Sequence, residues 1–287
     1  MTRPIARGAL GSWLVRVVVI GLCALWVVPT VGTVVTSFRT ADDAQSTGWW
    51  HVLTDPGTFT RLTLDNYRQV LTGPDAFGTA FVNSVAISLP ATLLPILVAT
   101  FAAYAFTFLR WRGRELLFVV TVSLLVVPNQ VAFLPLLRLY AGLGLQGSLA
   151  SVWLAHAGFA LPLAIFILRN YMTTLPRDVV ESARVDGASH FQILWRLVIP
   201  MSAPALASFA VFQFLWVWND LLVALIFLGS GDKAPLPVAL AGLLGEQNQG
   251  WQAVTAGGVL MMVVPVAVFV ALQRYFVRGL TAGAVKQ

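Results

Sequence analysis

Hydrophobic residues along the chain fall into long runs that are separated by shorter polar segments. An α-helix needs about 20 mostly apolar residues to cross the hydrocarbon core of a bilayer. Six runs meet this requirement: Val17–Thr36, Val85–Phe108, Leu116–Leu137, Leu149–Leu168, Leu206–Leu228 and Ala256–Phe276. The pattern therefore predicts six transmembrane helices.

Prolines within two of these runs predict bends. Pro90 and Pro95 lie in the second run, which we expect to tilt or kink. Pro128 lies at the middle of the third run and is followed by Asn129 and Gln130, so a kink there would expose polar atoms.

The composition supports a membrane protein. The chain has 287 residues, of which 58% are hydrophobic and only 10% charged, whereas a soluble domain carries about 25% charged residues. A soluble enzyme, a disordered tail and a secreted disulfide scaffold are therefore excluded. The single cysteine, Cys23, cannot form an internal disulfide.

Basic residues are concentrated on one side of the predicted topology. The two terminal segments and the loops after the second and fourth helices carry 13 basic and four acidic residues, whereas the opposite side carries five basic and seven acidic residues. The positive-inside rule then places both termini in the cytoplasm. The net charge of +6 is thus a consequence of topology, and no binding to nucleic acid is expected.

This topology divides the chain into a cytoplasmic N-terminus and a six-helix transmembrane domain. The predicted segments are residues 1–16 for the N-terminus and 17–287 for the domain, with an external loop at 38–80, a cytoplasmic coupling loop at 172–202 and a cytoplasmic tail at 277–287.

Motifs for several kinds of catalysis are absent from the sequence. No Gly-Lys pair occurs, which excludes a Walker A phosphate loop, and there is no Gly-x-Ser-x-Gly motif. His51, His156 and His190 lie far apart and form no metal-binding pattern. We therefore predict no catalytic residue, no metal site and no bound cofactor. His156 is expected to form a hydrogen bond between helices.

The polar segment between the fourth and fifth helices predicts a helix-turn-helix that projects from the membrane. Asp178 favours the first turn of a helix, and Asp186-Gly187 ends that helix. A second helix is expected to begin at Ala188. A helix that lies on lipid headgroups is rich in basic residues. The small, acidic tip of this loop instead favours docking to another protein.

This loop resembles that of the inner-membrane permease subunits of ATP-binding-cassette importers. Their motif is Glu-Ala-Ala, three residues, Gly, nine residues, Ile, one residue and Leu-Pro. The corresponding residues here are Glu181, Ser182, Ala183, Gly187, Leu197, Ile199 and Pro200. The sequence departs from the motif at Ser182, Leu197 and Ile199, and each of these changes keeps the size or the apolar character.

Other segments are similar to the carbohydrate branch of these permeases, in particular to the maltose-type second permease and to alpha-glucoside permeases. They are Leu62–Tyr67, Phe81–Ser84, Trp218–Asp220 and the tail Gly279–Lys286. The resemblance covers nearly the whole chain from about Val17 onward.

The resemblance implies an all-α integral membrane protein with the type I importer permease fold, in the plasma (inner) membrane of a prokaryote. It would be the permease of an ATP-driven sugar or oligosaccharide importer and form half of the translocation pathway. A second permease subunit would complete the pathway, and a homodimer or heterodimer of ATPase subunits would bind and hydrolyse ATP. An extracytoplasmic sugar-binding protein would deliver the cargo. The chain itself would be neither an enzyme nor a cofactor protein.

The resemblance also identifies residues that would contact the ATPase. In the cytoplasmic loop they are Glu181, Ser182, Ala183, Asp186, Gly187, Ala188 and Pro200. In the tail they are Thr281, Gly283 and Lys286.

Polar and aromatic residues near the predicted helices are candidates for the translocation path, because a sugar site needs hydrogen-bonding groups and aromatic faces. The candidates are Asn83, Ser84, Asn129, Gln130, Trp216, Trp218, Asn219 and Asp220. Alternatives remain open for all of them: interhelical hydrogen bonds for the amides, the interfacial aromatic belt for the tryptophans, and structural pairing for Asp220.

Two other functions remain open. Glycerol phosphate or another small polar solute is the alternative cargo, although no Lys or Arg lies deep in any predicted helix to attract an anion. An ion-coupled secondary carrier is the other alternative. Such carriers usually bury several ionisable residues, and only Asp220 clearly lies within a predicted helix here.

Overall fold

The computed structural model describes the backbone of residues 9–73, 77–245 and 250–284. It describes the side chains of residues 13–73, 77–244 and 250–273. The described residues are helical and contain no strand. The helices are α1 (Ala9–Ser37), α2 (Ala41–Ser46), α3 (His51–Thr54), α4 (Asp65–Thr72), α5 (Phe77–Phe108), α6 (Arg114–Ser123), α7 (Asn129–Gly142), α8 (Leu149–Met172), α9 (Arg177–Val185), α10 (His190–Ile193), α11 (Ile199–Met201), α12 (Ala203–Trp218), α13 (Leu222–Leu228), α14 (Leu236–Gly245) and α15 (Trp251–Ala284). Short 3₁₀ segments occupy Pro56–Arg61 and Leu124–Val126.

Among the described residues, four helices are long and apolar enough to cross a membrane unaided. They are α1, α5, α8 and the first part of α15. Two bent pairs bring the number of spans to as many as six. α6 with its 3₁₀ turn meets α7 at 101°, and the helical segment from α10 to α11 meets α12 at 73°. The first, second, fourth and sixth predicted spans are thus confirmed as continuous helices.

The bend predicted at Pro128 is confirmed and is sharper than an ordinary proline kink. Helix α6 passes into a 3₁₀ turn, Pro128 adopts extended backbone angles, and α7 begins at Asn129. The residue before a proline is also pushed out of the helical region, and Val127 is extended here. The predicted span Leu116–Leu137 is therefore two helical pieces.

The prediction of one continuous helix over Leu206–Leu228 is wrong. Helix α12 ends at Trp218, and α13 begins only at Leu222. The reason is local, because the Asp220 carboxylate accepts the N–H of Val223 at 2.9 Å and thereby starts a new helix. Apolar content alone does not reveal this interruption.

The chain forms two compact units, residues 1–76 with 243–260 and residues 77–242 with 261–287. In the first unit, the segment after α1 is folded around the buried guanidinium of Arg39. This group donates to the carbonyl oxygens of Thr47 at 3.0 Å and Asp43 at 2.5 Å. The side-chain amide of Asn66 donates to the carbonyl oxygens of Ser37 at 2.9 Å and Arg39 at 2.8 Å, which satisfies acceptors left free at the end of α1.

The second unit is built around the contact between α5 and α8. Alanines with almost no exposed surface lie on both helices, at Ala99 and Ala103 on α5 and at Ala160 and Ala164 on α8. Without larger side chains between them, the two backbones can approach closely, and van der Waals contact then stabilises the pair in lipid. Both helices are therefore fixed relative to the loop that follows α8.

We predict that Ala164→Leu destabilises the second unit, because the added carbons have no room in a closely packed helix contact. Overpacking of this kind costs about 1–3 kcal/mol. Thermal unfolding of the detergent-solubilised protein measures the effect. Ala267→Leu on the exposed surface of α15 is the control. If Ala164→Leu unfolds at the same temperature as this control, the close contact between α5 and α8 at Ala164 is contradicted.

Candidate functional site

The loop between α8 and α12 forms the predicted helix-turn-helix, and its turn is fixed by backbone hydrogen bonds. At the end of α9 the N–H of Ala188 donates to the carbonyl oxygen of Ala183, and the N–H of Gly187 donates to that of Arg184, both at 3.0 Å. This pair of bonds is the Schellman motif, which requires a left-handed residue directly after the helix. Gly187 has a φ of +82°, a conformation that glycine adopts without steric cost.

Helix α9 is anchored by one face and exposes the other. Val180 is buried in the same hydrophobic cluster as Met172 and Ile193. Val185 is 88% exposed at the end of the helix. The predicted docking residues at the tip are exposed or, for the two alanines, half-buried: Glu181, Ser182, Ala183, Asp186, Gly187 and Ala188. The structure thus brings this predicted set together on one protruding turn.

The second helix of the loop begins two residues later than predicted. Ser189 caps α10 through a reciprocal pair of bonds with Gln192, so that the helix starts at His190 and not at Ala188. This capping box is readable from the Ser-x-x-Gln spacing, a signal that the sequence prediction did not use. The following residues Leu194–Val198 are π-helical, and Pro200 is exposed beyond them.

A cavity of about 590 Å³ lies between α9 and the loop that joins α5 to α6. Its charged lining residues are Arg110, Arg114, Arg177, Arg184, Glu115 and Glu181. Glu115 is paired with Arg114 at 2.8 Å and with Arg169 at 3.3 Å. Arg110 and Arg177 have no ion-pair partner among the described residues, so the cavity presents a net positive surface beside α9.

The predicted tail residues are only partly described. The backbone of α15 runs through Thr281 and Gly283, but their side chains, and the whole of Lys286, lie outside the described residues.

Two of the predicted path residues, Asn83 and Ser84, form hydrogen bonds with backbone groups of residues 232–236. The side-chain amide of Asn83 donates to the carbonyl oxygens of Asp232 at 2.8 Å and Ala234 at 3.1 Å. The hydroxyl of the buried Ser84 accepts the N–H of Leu236 at 2.8 Å. These bonds satisfy groups at the start of α14, so Asn83 and Ser84 attach that segment to α5.

Trp218 is a core residue in this structure. Its side chain is 1% exposed, and its indole N–H donates to the carbonyl oxygen of Met261 at 3.1 Å. The ring stacks on Phe214 and meets Phe81 edge-on. This environment differs from both a path surface and an interfacial belt.

The remaining polar candidates lie at the two helix breaks. Asn129 and Gln130 begin α7 after Pro128, and Gln130 is exposed. Asn219 is exposed at the end of α12, where its amide donates to the carbonyl oxygen of Leu215 at 2.7 Å. Trp216 is half-buried and meets the His156 ring edge-on.

His156 and Asp220 form a buried pair between α8 and the break that follows α12. Their side chains are 1% and 11% exposed, and His156 Nε2 lies 3.2 Å from the carboxylate Oδ2 of Asp220. The other ring nitrogen, Nδ1, lies 3.0 Å from the carbonyl oxygen of Val152. The predicted interhelical bond of His156 is thus present, and Asp220 makes the structural pairing that was one of its two alternatives.

The hydrogen-bond partners define the charge of this pair. Both ring nitrogens face oxygen atoms, so Nδ1 carries the hydrogen that bonds to Val152, and one further proton is shared between Nε2 and the carboxyl group of Asp220. The second oxygen of Asp220 accepts the N–H of Val223. The net charge of the pair is zero whichever of the two groups holds the shared proton.

The sequence prediction missed the contacts that link the loop to the membrane helices. Tyr104 Oη on α5 lies 2.9 Å from His190 Nδ1, and Arg184 Nη2 lies 2.9 Å from His190 Nε2. These residues are separated by up to 86 positions in the chain, and no local pattern marks them.

Comparison with known proteins places most of the chain in one family. Residues 73–282 match the family model described as "Binding-protein-dependent transport system inner membrane component". The osmoprotective compounds uptake permease protein GgtD of Synechocystis sp. is 50% identical over 273 residues, which are 95% of this chain and 91% of that protein. The alpha-glucoside transport system permease protein AglG of Rhizobium meliloti is 53% identical over 232 residues, or 79% of this chain and 61% of that protein.

A solved structure has the same fold. It is a chain of a bacterial ABC transporter involved in the import of the acidic polysaccharide alginate, with a TM-score of 0.77. The match covers 96% of this chain and 100% of that chain at 22% sequence identity.

We predict that the two members of the buried pair respond unequally to substitution. His156→Gln removes the group that balances Asp220, and leaving one member of a buried pair uncompensated costs about 3–5 kcal/mol. Asp220→Asn costs much less, since the new amide can donate to a neutral imidazole and its oxygen can still accept from Val223.

The double variant His156→Gln/Asp220→Asn should therefore be more stable than His156→Gln alone, as measured by thermal unfolding in detergent. Equal loss for both single variants, or no rescue in the double variant, would contradict this account of the pair.

Proposed function

Because the chain belongs to the family of binding-protein-dependent transport system inner membrane components, we propose that it is the permease subunit of an ATP-driven importer of sugars or oligosaccharides. It forms half of a translocation path in a prokaryotic plasma membrane. A second permease subunit forms the other half, and a separate ATPase pair binds and hydrolyses the ATP. An extracytoplasmic binding protein delivers the cargo.

The cytoplasmic helix-turn-helix is the observation that supports coupling to the ATPase. The motif residues from Glu181 to Gly187 form an exposed, rigidly capped turn, and Val180 anchors it to the core. Acidic side chains at the tip suit basic groups on the ATPase, whereas the arginine-lined cavity beside α9 suits acidic ones. Thr281, Gly283 and Lys286 of the tail are proposed as a second contact.

The electrostatics of the spanning helices support a neutral cargo. Helices α5, α12 and α13 contain no charged residue. The ionisable residues within α8 are His156 and, near its end, Arg169, and Arg138 lies in the second half of α7. Asp220 is compensated by His156. A path without net charge neither attracts nor repels ions, and it suits a solute that presents hydroxyl groups. We propose an alpha-glucoside or a related neutral glycoside, in keeping with the name of the relative AglG.

The exposed groups at the two helix breaks are the proposed contacts for this cargo. Gln130 and Asn219 offer hydrogen-bonding atoms, and Trp216 offers an aromatic face. Asn129 lies beside Gln130 at the same break. Helix breaks inside a bilayer are tolerated where they face protein or a water-filled cavity, which makes these positions suitable for a path.

Movement would follow from different contacts of the loop in different states of the ATPase. A partner shifts a conformational equilibrium only through its unequal affinity for the two states. Closure of the ATPase pair around ATP would displace α9, and the rigid contact between α5 and α8 would carry that displacement into the membrane.

The cargo prediction is tested with the purified complex of both permease subunits, the ATPase and the binding protein in proteoliposomes. We expect a neutral alpha-glucoside to stimulate ATP hydrolysis and to accumulate inside, because the path carries no net charge. Glycerol phosphate should do neither. Stimulation by glycerol phosphate alone, or uphill transport by this chain without the ATPase, would contradict the proposal.

The coupling prediction uses two glycines with the same backbone conformation. Gly187→Arg and Gly144→Arg place the same side chain at φ values of +82° and +70°, and in both cases the space around the new Cβ is open. The backbone cost should therefore be similar. We expect Gly187→Arg to abolish transport by blocking the docking surface, while Gly144→Arg retains it.

Membrane insertion, measured by protease protection, should be normal for both variants. Normal transport and ATP hydrolysis by Gly187→Arg would show that this turn does not contact the ATPase.

A further inference from the structure

Three side chains form a continuous line of contacts from the docking helix to a membrane helix. Arg184 lies in the last turn of α9, His190 opens α10, and Tyr104 lies on α5 with 5% of its surface exposed. The guanidinium Nη2 of Arg184 is 2.9 Å from His190 Nε2, and His190 Nδ1 is 2.9 Å from the hydroxyl of Tyr104. The His190 and Tyr104 rings also meet edge-on, at 75°.

The chemistry of these groups allows one arrangement of hydrogens in the line. A guanidinium has donors and no acceptor, so His190 Nε2 must be unprotonated in order to accept from Arg184. The hydrogen of a neutral imidazole then lies on Nδ1 and is donated to the hydroxyl oxygen of Tyr104. A proton added at Nε2 would place two N–H groups and two positive charges in contact.

These contacts attach α9 to α5 through polar side chains. Among the side chains that the structure describes on α9, Arg184 forms the one hydrogen bond that leaves the helix, since Ser182 bonds to Val179 within it. The other anchor is the apolar side chain of Val180. An apolar contact permits sliding, whereas hydrogen bonds with defined directions fix the orientation of one helix relative to another.

We propose that His190 is a positioning residue that holds α9 in register with α5, and that it does so only as a neutral imidazole. The inference rests on the proposed coupling function of the loop. The charged or titratable side chains that contact the His190 ring are Arg184 from α9 and Tyr104 from α5, and α10 contributes no other. The imidazole thus transmits movement of the docking helix to the second span, and its protonation releases that connection.

A matched pair of substitutions separates the two hydrogen bonds of His190 from its ability to gain a proton. In His190→Gln the amide oxygen accepts from Arg184 and the amide nitrogen donates to Tyr104, but the side chain cannot gain a proton. In His190→Ala both bonds are lost. His51→Ala changes an exposed histidine in the other compact unit and serves as the control.

The experiment measures glucoside uptake per ATP hydrolysed by the reconstituted complex at about pH 7.5 and about pH 5.5, a range in which histidine ordinarily changes charge. At the higher pH we expect His190→Ala to lower this ratio about tenfold, within the usual range of coupling between sites. His190→Gln and His51→Ala should match the unsubstituted protein. At the lower pH the unsubstituted protein should lose coupling and His190→Gln should keep it.

Normal coupling in His190→Ala, or equal loss in His190→Gln, would overturn the positioning role. A loss of coupling at the lower pH that persists in His190→Gln would overturn the requirement for a neutral imidazole.

Amide hydrogen exchange of α9 in the purified protein adds a readout that needs no cargo. Exchange should be faster in His190→Ala and unchanged in His190→Gln, even if the complex transports no sugar and the proposed function fails. Equal exchange in the two variants would overturn the inference.

Discussion

The structure depends on one constraint, which is that a helix interrupted inside a bilayer must satisfy the backbone groups it releases. Hydrocarbon offers no hydrogen bonds, so each unpaired N–H or carbonyl group costs on the order of several kcal/mol there. At the break after α12, Asp220 supplies an acceptor for α13 and Asn219 supplies a donor for α12. The carboxyl group of Asp220 is itself a buried polar group, and His156 pairs with it.

The sequence predicted the features that depend on composition and local chemistry. Apolar runs of sufficient length located the spans, Pro128 located a bend, and Asp186-Gly187 located the turn of the docking loop. It could not locate the break at Asn219, because α12 and α13 are both apolar and the second helix is started by the carboxyl group of Asp220, which is paired with a histidine 64 residues away. Such a pairing is a property of packing and leaves no periodic pattern.

The same distinction between local chemistry and packing holds for the candidate site. The turn at Gly187 was predictable, because neighbours in the sequence form it and Gly187 must adopt a left-handed conformation. The path residues were predicted by chemical type, and type does not distinguish an amide that meets cargo from one that holds backbone. Asn83 and Asn219 both lie near the end of an apolar helix, but Asn83 donates hydrogen bonds to the segment before α14, whereas Asn219 remains exposed.

The bonds from Asn83 and Ser84 to residues 232–236 have a consequence for biogenesis. They join positions 149 to 152 residues apart, so the entropy of closing that long loop opposes their formation. During synthesis, 149 residues separate Asn83 from Asp232, the first of its two partners to be made. Until that segment has been made, the amide of Asn83 lacks the partners that it has in the folded chain.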